Sequence, residues 1–96
     1  MREYELMLIA RPQTASDEAQ TVSERVGEWI ADGGGEVTST EGLGRRLLAY
    51  KIEDHREGDY HLIYFQAMPS VLPPLERRIK LDDSIIRYQI IGDARR

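Results

Sequence analysis

Ninety-six residues with a formal net charge of −4 and no cysteine are enough for one domain, residues 1–96, with one modest core. The missing cysteine excludes a disulfide framework, a thiolate metal site and a cysteine nucleophile, and 41% apolar with 31% charged residues excludes a disordered chain. The acidic balance argues against blanket affinity for nucleic acid, although local arginines can act on an acidic protein. No apolar run approaches the roughly 20 residues of a membrane helix. The apolar part of the opening MREYELMLIARP is too short for a signal peptide and carries two glutamates. A soluble, reducing compartment is the expectation.

Along the chain, residues 3–10 (EYELMLIA) are apolar and aromatic with Pro12 just beyond, which predicts a strand. Residues 14–31 follow the helical period, with Ala19, Val22, Val26, Trp29 and Ile30 on one face. Thr14 and Asp17 offer a capping-box start, and Gly33-Gly34-Gly35 a stop. Trp29 is expected to be buried between this helix and the sheet. Residues 36–52 read as one long or interrupted strand, and His55 to Gly58 as a polar turn. YHLIYFQAM (60–68) is the strongest strand signal. A second helix is predicted over Val71–Leu81, with Pro73 and Pro74 tolerable only in its first turn. SIIRYQII (84–91) closes the series as a strand.

The order β-α-β-β-α-β predicts an α+β fold of the ferredoxin-like, split-βαβ kind: a four-stranded antiparallel sheet with two helices on one face. The right-handed crossover rule puts the first and third strands in the centre. This fold hosts many unrelated functions, so function must be read from surfaces.

No enzyme signature is present. The segment EDHREGDYH (53–61) gathers Asp54, His55, Glu57, Asp59 and His61, yet its spacing matches neither a metalloprotease helix nor an EF-hand loop. The glycines of EGLG precede a strand rather than a helix N-terminus, so they form no phosphate loop. The serines lack a nucleophile-elbow context. No metal, cofactor or small-molecule substrate is expected. The uncovered sheet face is more informative. If Ile63, Phe65 and Ala67 point at the helices, then Tyr60, Leu62, Tyr64 and Gln66 point outward. Apolar runs on both sides of strands one and three leave this phase open. Either phase exposes apolar and aromatic groups, the mark of a partner surface. Tyr60, Leu62 and Tyr64, with Ile91 of the last strand, form the candidate protein-partner face. On the last strand, Arg87 points outward if Ile86, Tyr88 and Ile90 point inward.

Four segments in order carry a family resemblance: MREYELMLIARP, EGLGRRLLAYKI (41–52), HLIYFQAMP (61–69) and LDDSIIRYQII (81–91). They resemble the bacterial small-subunit ribosomal protein six family collinearly from Met1 to about Ile91. Gly44, Arg46, Leu48, Ala49, Tyr50 and Ile52 match its G-x-R-x-L-A-Y-P-I block; Asp83, Ile85, Ile86 and Arg87 match its last strand. Lys51 stands where the family usually has proline, and Pro73-Pro74 interrupts its usual second helix. The resemblance implies a cytoplasmic, ribosomal structural protein without catalysis. It also implies binding to the central domain of 16S rRNA as a pair with small-subunit ribosomal protein eighteen. Arg2, Arg45, Arg46 and Arg87 are the candidate RNA contacts, Arg46 matching the family arginine and Arg45 falling on a variable position. The alternative is a stand-alone ferredoxin-like adaptor or homo-oligomer whose sheet face packs against itself and whose arginines are incidental.

Overall fold

The computed structural model describes residues 1–12, 16–52 and 55–92, and for 16–21, 49–52 and 55 the backbone alone. The elements run β1 (Arg2–Ala10), α1 (Ser16–Asp32), β2 (Glu36–Ile52), β3 (His55–Ala67), a 3₁₀ turn (Pro69–Val71), α2 (Leu72–Leu81) and β4 (Ile85–Gly92). The sheet order is β2-β3-β1-β4 with every neighbour antiparallel, so β1 and β3 are central as the crossover rule requires. Pro73 and Pro74 fall in the first turn of α2, where a missing N–H costs nothing. The capping pair Thr14 and Asp17 lies outside the described side chains.

Apolar side chains at 3.6-residue spacing on α1 meet alternating ones on the central strands. Val22, Val26 and Ile30 pack on Tyr4, Leu6, Leu8 and Ala10 of β1 and on Ile63, Phe65 and Ala67 of β3. Val71, Leu75 and Ile79 close the core from the second helical segment. The rings of Tyr4 and Phe65 stack at 5.3 Å between centroids. The phase left open in the sequence is thereby fixed: Ile63, Phe65 and Ala67 face the helices. Tyr60, Leu62 and Tyr64 face away.

Three details differ from the sequence reading. Trp29 is half-buried, packed on the rim of the core rather than inside it, with the Arg78 guanidinium 6.0 Å from its ring centre. On β4 it is Ile85, not Ile86, that joins Tyr88 and Ile90 against the core, because the ladder shifts register between Ile9 and Ala10. His55 to Gly58 forms ladder, not turn: Arg46 pairs with Gly58, Leu47 with Glu57 and Ile52 with His55. The unusual length of β2 supplies the partner. Since β1 ends at Ala10 opposite Asp59, the outer part of this hairpin runs on as a two-stranded arm. At the usual strand rise it extends about 13 Å beyond the sheet.

Candidate protein and nucleic-acid interface

Antiparallel partners share a sheet face, so the register turns the open face into a series of rungs. From one end they read Glu36, Gln66 and Glu3; then Ser39, Tyr64, Glu5 and Ile91; then Glu41, Leu62, Met7 and Gln89; then Gly44, Tyr60, Ile9 and Arg87; and last Arg46 with Gly58. Tyr60, Leu62 and Tyr64 are half-buried by one another and by Met7 and Ile9, and Ile91 is 43% exposed at the β4 edge. Gly58 has a steric role: a Cβ there would lie 2.3 Å from the Ile9 side chain. Its bareness lets Ile9 fold over the rung between Tyr60 and the arm. A shallow depression of about 190 Å³ lies beside it, lined by Met7, Ile9, Arg87 and Gln89 together with Tyr88.

The charges on this face are sorted. Glu3, Glu5, Glu36 and Glu41 occupy the three rungs at one end; Arg87 and Arg46 occupy the two at the other. Glu3 accepts a hydrogen bond from Gln66 Nε2 at 3.4 Å. The ion pairs Arg25–Asp82, Arg45–Asp59 and Arg78–Asp32 involve none of the four carboxylates.

A bulge divides the two adjacent arginines. The β2 register shifts between Gly42 and Gly44, and Gly44 sits at φ 83°, a left-handed conformation that a side chain would strain. Continued without the bulge, the strand would carry Arg45 to the open face with Glu41. Instead Arg46 faces the open side, its Nε 3.3 Å from the Leu43 carbonyl, and Arg45 turns to the helix side. There its Nε donates to Asp59 Oδ1 at 3.2 Å, pairing a side chain that is only 12% exposed. Next to it, burial pushes the His61 imidazole below its ordinary pKa, against the opposing pull of Asp59, and its Nε2 has no hydrogen-bond partner among the described residues.

Of the four candidate RNA contacts, the fold therefore brings together Arg46 and Arg87. Arg2 pairs with Ala67 on the helix-side parity at the opposite end of β1, about 23 Å from Ile9 at strand spacing. The acidic end of the face, and Met7 and Ile9 as part of its apolar centre, were not singled out from sequence as site residues. Only the cross-strand register reveals them. A second concavity of about 590 Å³ runs between the helices, lined by Arg25, Trp29, Arg78, Leu81 and Asp82, with Asp83 and Ser84. Its charges are already matched: Arg25 Nη2 lies 2.6 Å from Asp82, and Arg78 lies 3.6 Å from Asp32. Among the described residues no group of three or more His, Asp or Glu is placed to hold a metal ion, and no helix is long and apolar enough to cross a membrane.

The protein-family model described as Ribosomal protein S6 matches residues 3–92. The small ribosomal subunit protein bS6 of Moorella thermoacetica is 38% identical over 90 residues, spanning 94% of this chain and 92% of its own. That of Exiguobacterium sibiricum is 37% identical over 95 residues, spanning 99% and 100%. Among solved structures, the crystal structure of 30S ribosomal protein S6 from Thermotoga maritima superposes with a TM-score of 0.89 at 35% identity, covering 95% of this chain and 86% of that one. The C-terminal domain of the MgtC protein from Mycobacterium tuberculosis, at 11% identity and a TM-score of 0.64, shares the fold alone.

Proposed function

The chain belongs to the ribosomal protein S6 family, non-enzymatic structural components of the small ribosomal subunit in the bacterial cytoplasm, and from that premise we propose that it binds the central domain of 16S rRNA together with small-subunit ribosomal protein eighteen. The observation that carries this reading is the open face, where an apolar and aromatic centre is bordered by arginines at one end only. Tyr60, Leu62, Tyr64 and Ile91 receive the partner protein. Arg46 and Arg87 reach phosphates beside it, so that RNA approaches the basic end while the acidic end stays away from the backbone. Arg45, held by Asp59, and Arg2, at the far end, add peripheral contacts. The net charge of −4 is no obstacle, because phosphate contacts need only local cations.

Filter binding of a 16S central-domain fragment, with and without the partner, tests the assignment. Removing one cation from a phosphate lowers the salt slope by about one unit. Arg46→Ala with Arg87→Ala should weaken binding, flatten the slope by about two and leave partner binding in place. Unchanged affinity and slope in the double variant would reject these residues as the RNA contacts.

A further inference from the structure

We propose that Asp59 is a positioning residue for the basic end: by pairing with Arg45 it locks β2 into the one of two neighbouring registers that turns Arg46 to the open face. The functional half of this inference rests on the reading of Arg46 as an RNA contact; the register half stands apart from it. Two like residues in succession make the choice of register a close one. Ahead of the bulge Glu41 pairs with Leu62 and Gly42 with His61; past it Gly44 pairs with Tyr60, Arg45 with Asp59 and Arg46 with Gly58. Carried on without the bulge, the same ladder would set Gly44 against Asp59, Arg45 against Gly58 and Arg46 against Glu57. Because side chains alternate along a strand, that slip exchanges the two arginines between the faces. An arginine faces outward in either register, so the arginines by themselves do not decide which one it is. Asp59 decides it.

The unbulged register has one advantage, since the bulge sets Leu43 out of the ladder and the straight strand would not. What the straight strand forfeits is the cation beside Asp59. That side chain is only 12% exposed and sits at the root of the arm, opposite Ala10 of β1 as well as Arg45. Opposed by Gly44 it would face a residue with no side chain, and a nearly buried carboxylate stripped of its partner is strongly unfavourable. His61, two residues on and on the same face, does not replace Arg45, because burial holds its imidazole below the ordinary pKa and so neutral at pH 7. The pair gained in exchange, Arg46 with Glu57, is exposed at both residues and contributes little. Gly44 makes the bulge accessible: its φ of 83° suits glycine, and no neighbour lies within 4 Å of where a Cβ would stand, so conformation rather than space calls for glycine there. The Arg46 Nε, 3.3 Å from the Leu43 carbonyl, then spans the bulge. Beyond Asp59 the hairpin is two-stranded and fixes its own register only weakly. The rung at its root therefore sets which way Arg46 and the residues past it point.

Disulfide trapping in the full chain reads the register directly, since the sequence holds no cysteine of its own. Leu47→Cys with Glu57→Cys sets two thiols across the observed ladder. Leu47→Cys with Arg56→Cys does so only in the unbulged register, and otherwise leaves the thiols on opposite faces, where they cannot be bridged. In the parent the Leu47–Glu57 pair should oxidise and the Leu47–Arg56 pair should not. Asp59→Asn, which keeps the shape and removes the charge, should slow the first and let the second form. Arg45→Gln should do the same, whereas Arg45→Lys, which keeps the cation, should retain the parent pattern. Circular dichroism checks that each variant is folded. Filter binding of the 16S central-domain fragment adds the functional readout. Arg46→Ala should flatten the salt slope by about one unit in the parent. With Asp59→Asn already present it should flatten the slope by clearly less, because Arg45 then shares the outward position. A Leu47–Glu57 crosslink that persists alone in both Asp59→Asn and Arg45→Gln overturns the lock. A full loss of slope from Arg46→Ala in the Asp59→Asn background overturns it as well. If Arg46→Ala leaves the slope of the parent unchanged while the crosslinks shift, the assignment of Arg46 to RNA fails and the positioning role with it, and the register lock alone stands.

Discussion

The two faces of the sheet are made by the same four strands and differ in what each rung has been asked to do. On the helix side, Leu6, Leu8, Ile63 and Phe65 are essentially inaccessible, and the central strands carry mostly apolar groups between Arg2 at one end and His61 and Asp59 at the other. On the open side, Leu62, Tyr64, Met7 and Ile9 make an apolar centre of similar composition, but glutamates and arginines border it in a fixed order. The covered face gains stability from burial within the chain. The open face, Ile9 apart, is only partly buried within the chain, and its borders carry charge. Mutations on the two faces should therefore separate into losses of folding and losses of association.

The largest expected effect tests that separation directly. Phe65→Ala on the covered face removes a fully buried ring and should cost about 3–5 kcal/mol in denaturant unfolding. Leu62→Ala, three residues upstream on the open face and half-buried, should cost under about 1.5 kcal/mol, since less area leaves water in the free protein. Equal costs at the two positions would break the comparison, because both faces would then contribute alike to the folded state.

Arg45 and Arg46 sharpen it, as neighbours on opposite sides of one strand. Arg45→Ala deprives the nearly buried Asp59 carboxylate of its cation and should destabilise the chain by about 1–3 kcal/mol. Arg46→Ala, exposed and bonded only to the Leu43 carbonyl among the described residues, should stay within about 0.5 kcal/mol and appear instead in RNA binding. Thermal melts of the two variants read the difference. An Arg46 variant less stable than the Arg45 variant would invert the facing that the bulge at Gly44 imposes.

How far the sequence alone revealed these surfaces follows from the range over which each signal acts. The elements and their order were legible because apolar spacing of 3.6 or 2 is local, and the antiparallel topology followed from the crossover rule. The phase of β1 and β3 was not, since LMLIA and HLIYF are apolar on both sides of the pleat, and only the docked helices break that tie. Register shifts are also silent in the pattern. The one at Ile9–Ala10 exchanged Ile85 for Ile86 in the core, and the one at Gly42–Gly44 parted Arg45 from Arg46. The glycines of EGLG left the strand readable as long or interrupted, without saying which of the two following arginines would turn outward. The carboxylate row was illegible for a simpler reason. Glu3, Glu5, Glu36 and Glu41 come from two separate segments, and nothing along the chain says that they share one end of one face. The arm at His55–Gly58 read as a turn because it is polar, although its backbone is paired with β2.

The smallest effect concerns the edge of the covered side, where helix packing is completed by charge. Arg25 of α1 donates from Nε at 3.0 Å and from Nη2 at 2.6 Å to Asp82 Oδ2, just beyond α2, and the Ser84 N–H donates to the other oxygen at 2.8 Å. Burial alone would raise the pKa of Asp82; the Arg25 and Ser84 hydrogen bonds outweigh it and hold the carboxyl below its ordinary value. A carboxyl whose pKa is lower folded than unfolded adds stability above its unfolded pKa and loses it as pH falls through the folded one. Asp82 therefore contributes fully at neutral pH and progressively less below about pH 4. Asp82→Asn should lower stability by about 1 kcal/mol at pH 7, the usual size for a partly exposed charged hydrogen bond. The gap between variant and parent should narrow as unfolding is repeated at pH 5, 4 and 3. Arg25→Ala should show the same narrowing, because it removes the same pair from the other side. A gap constant across that range would mean that the aspartate holds the α2–β4 connection through its geometry rather than its charge.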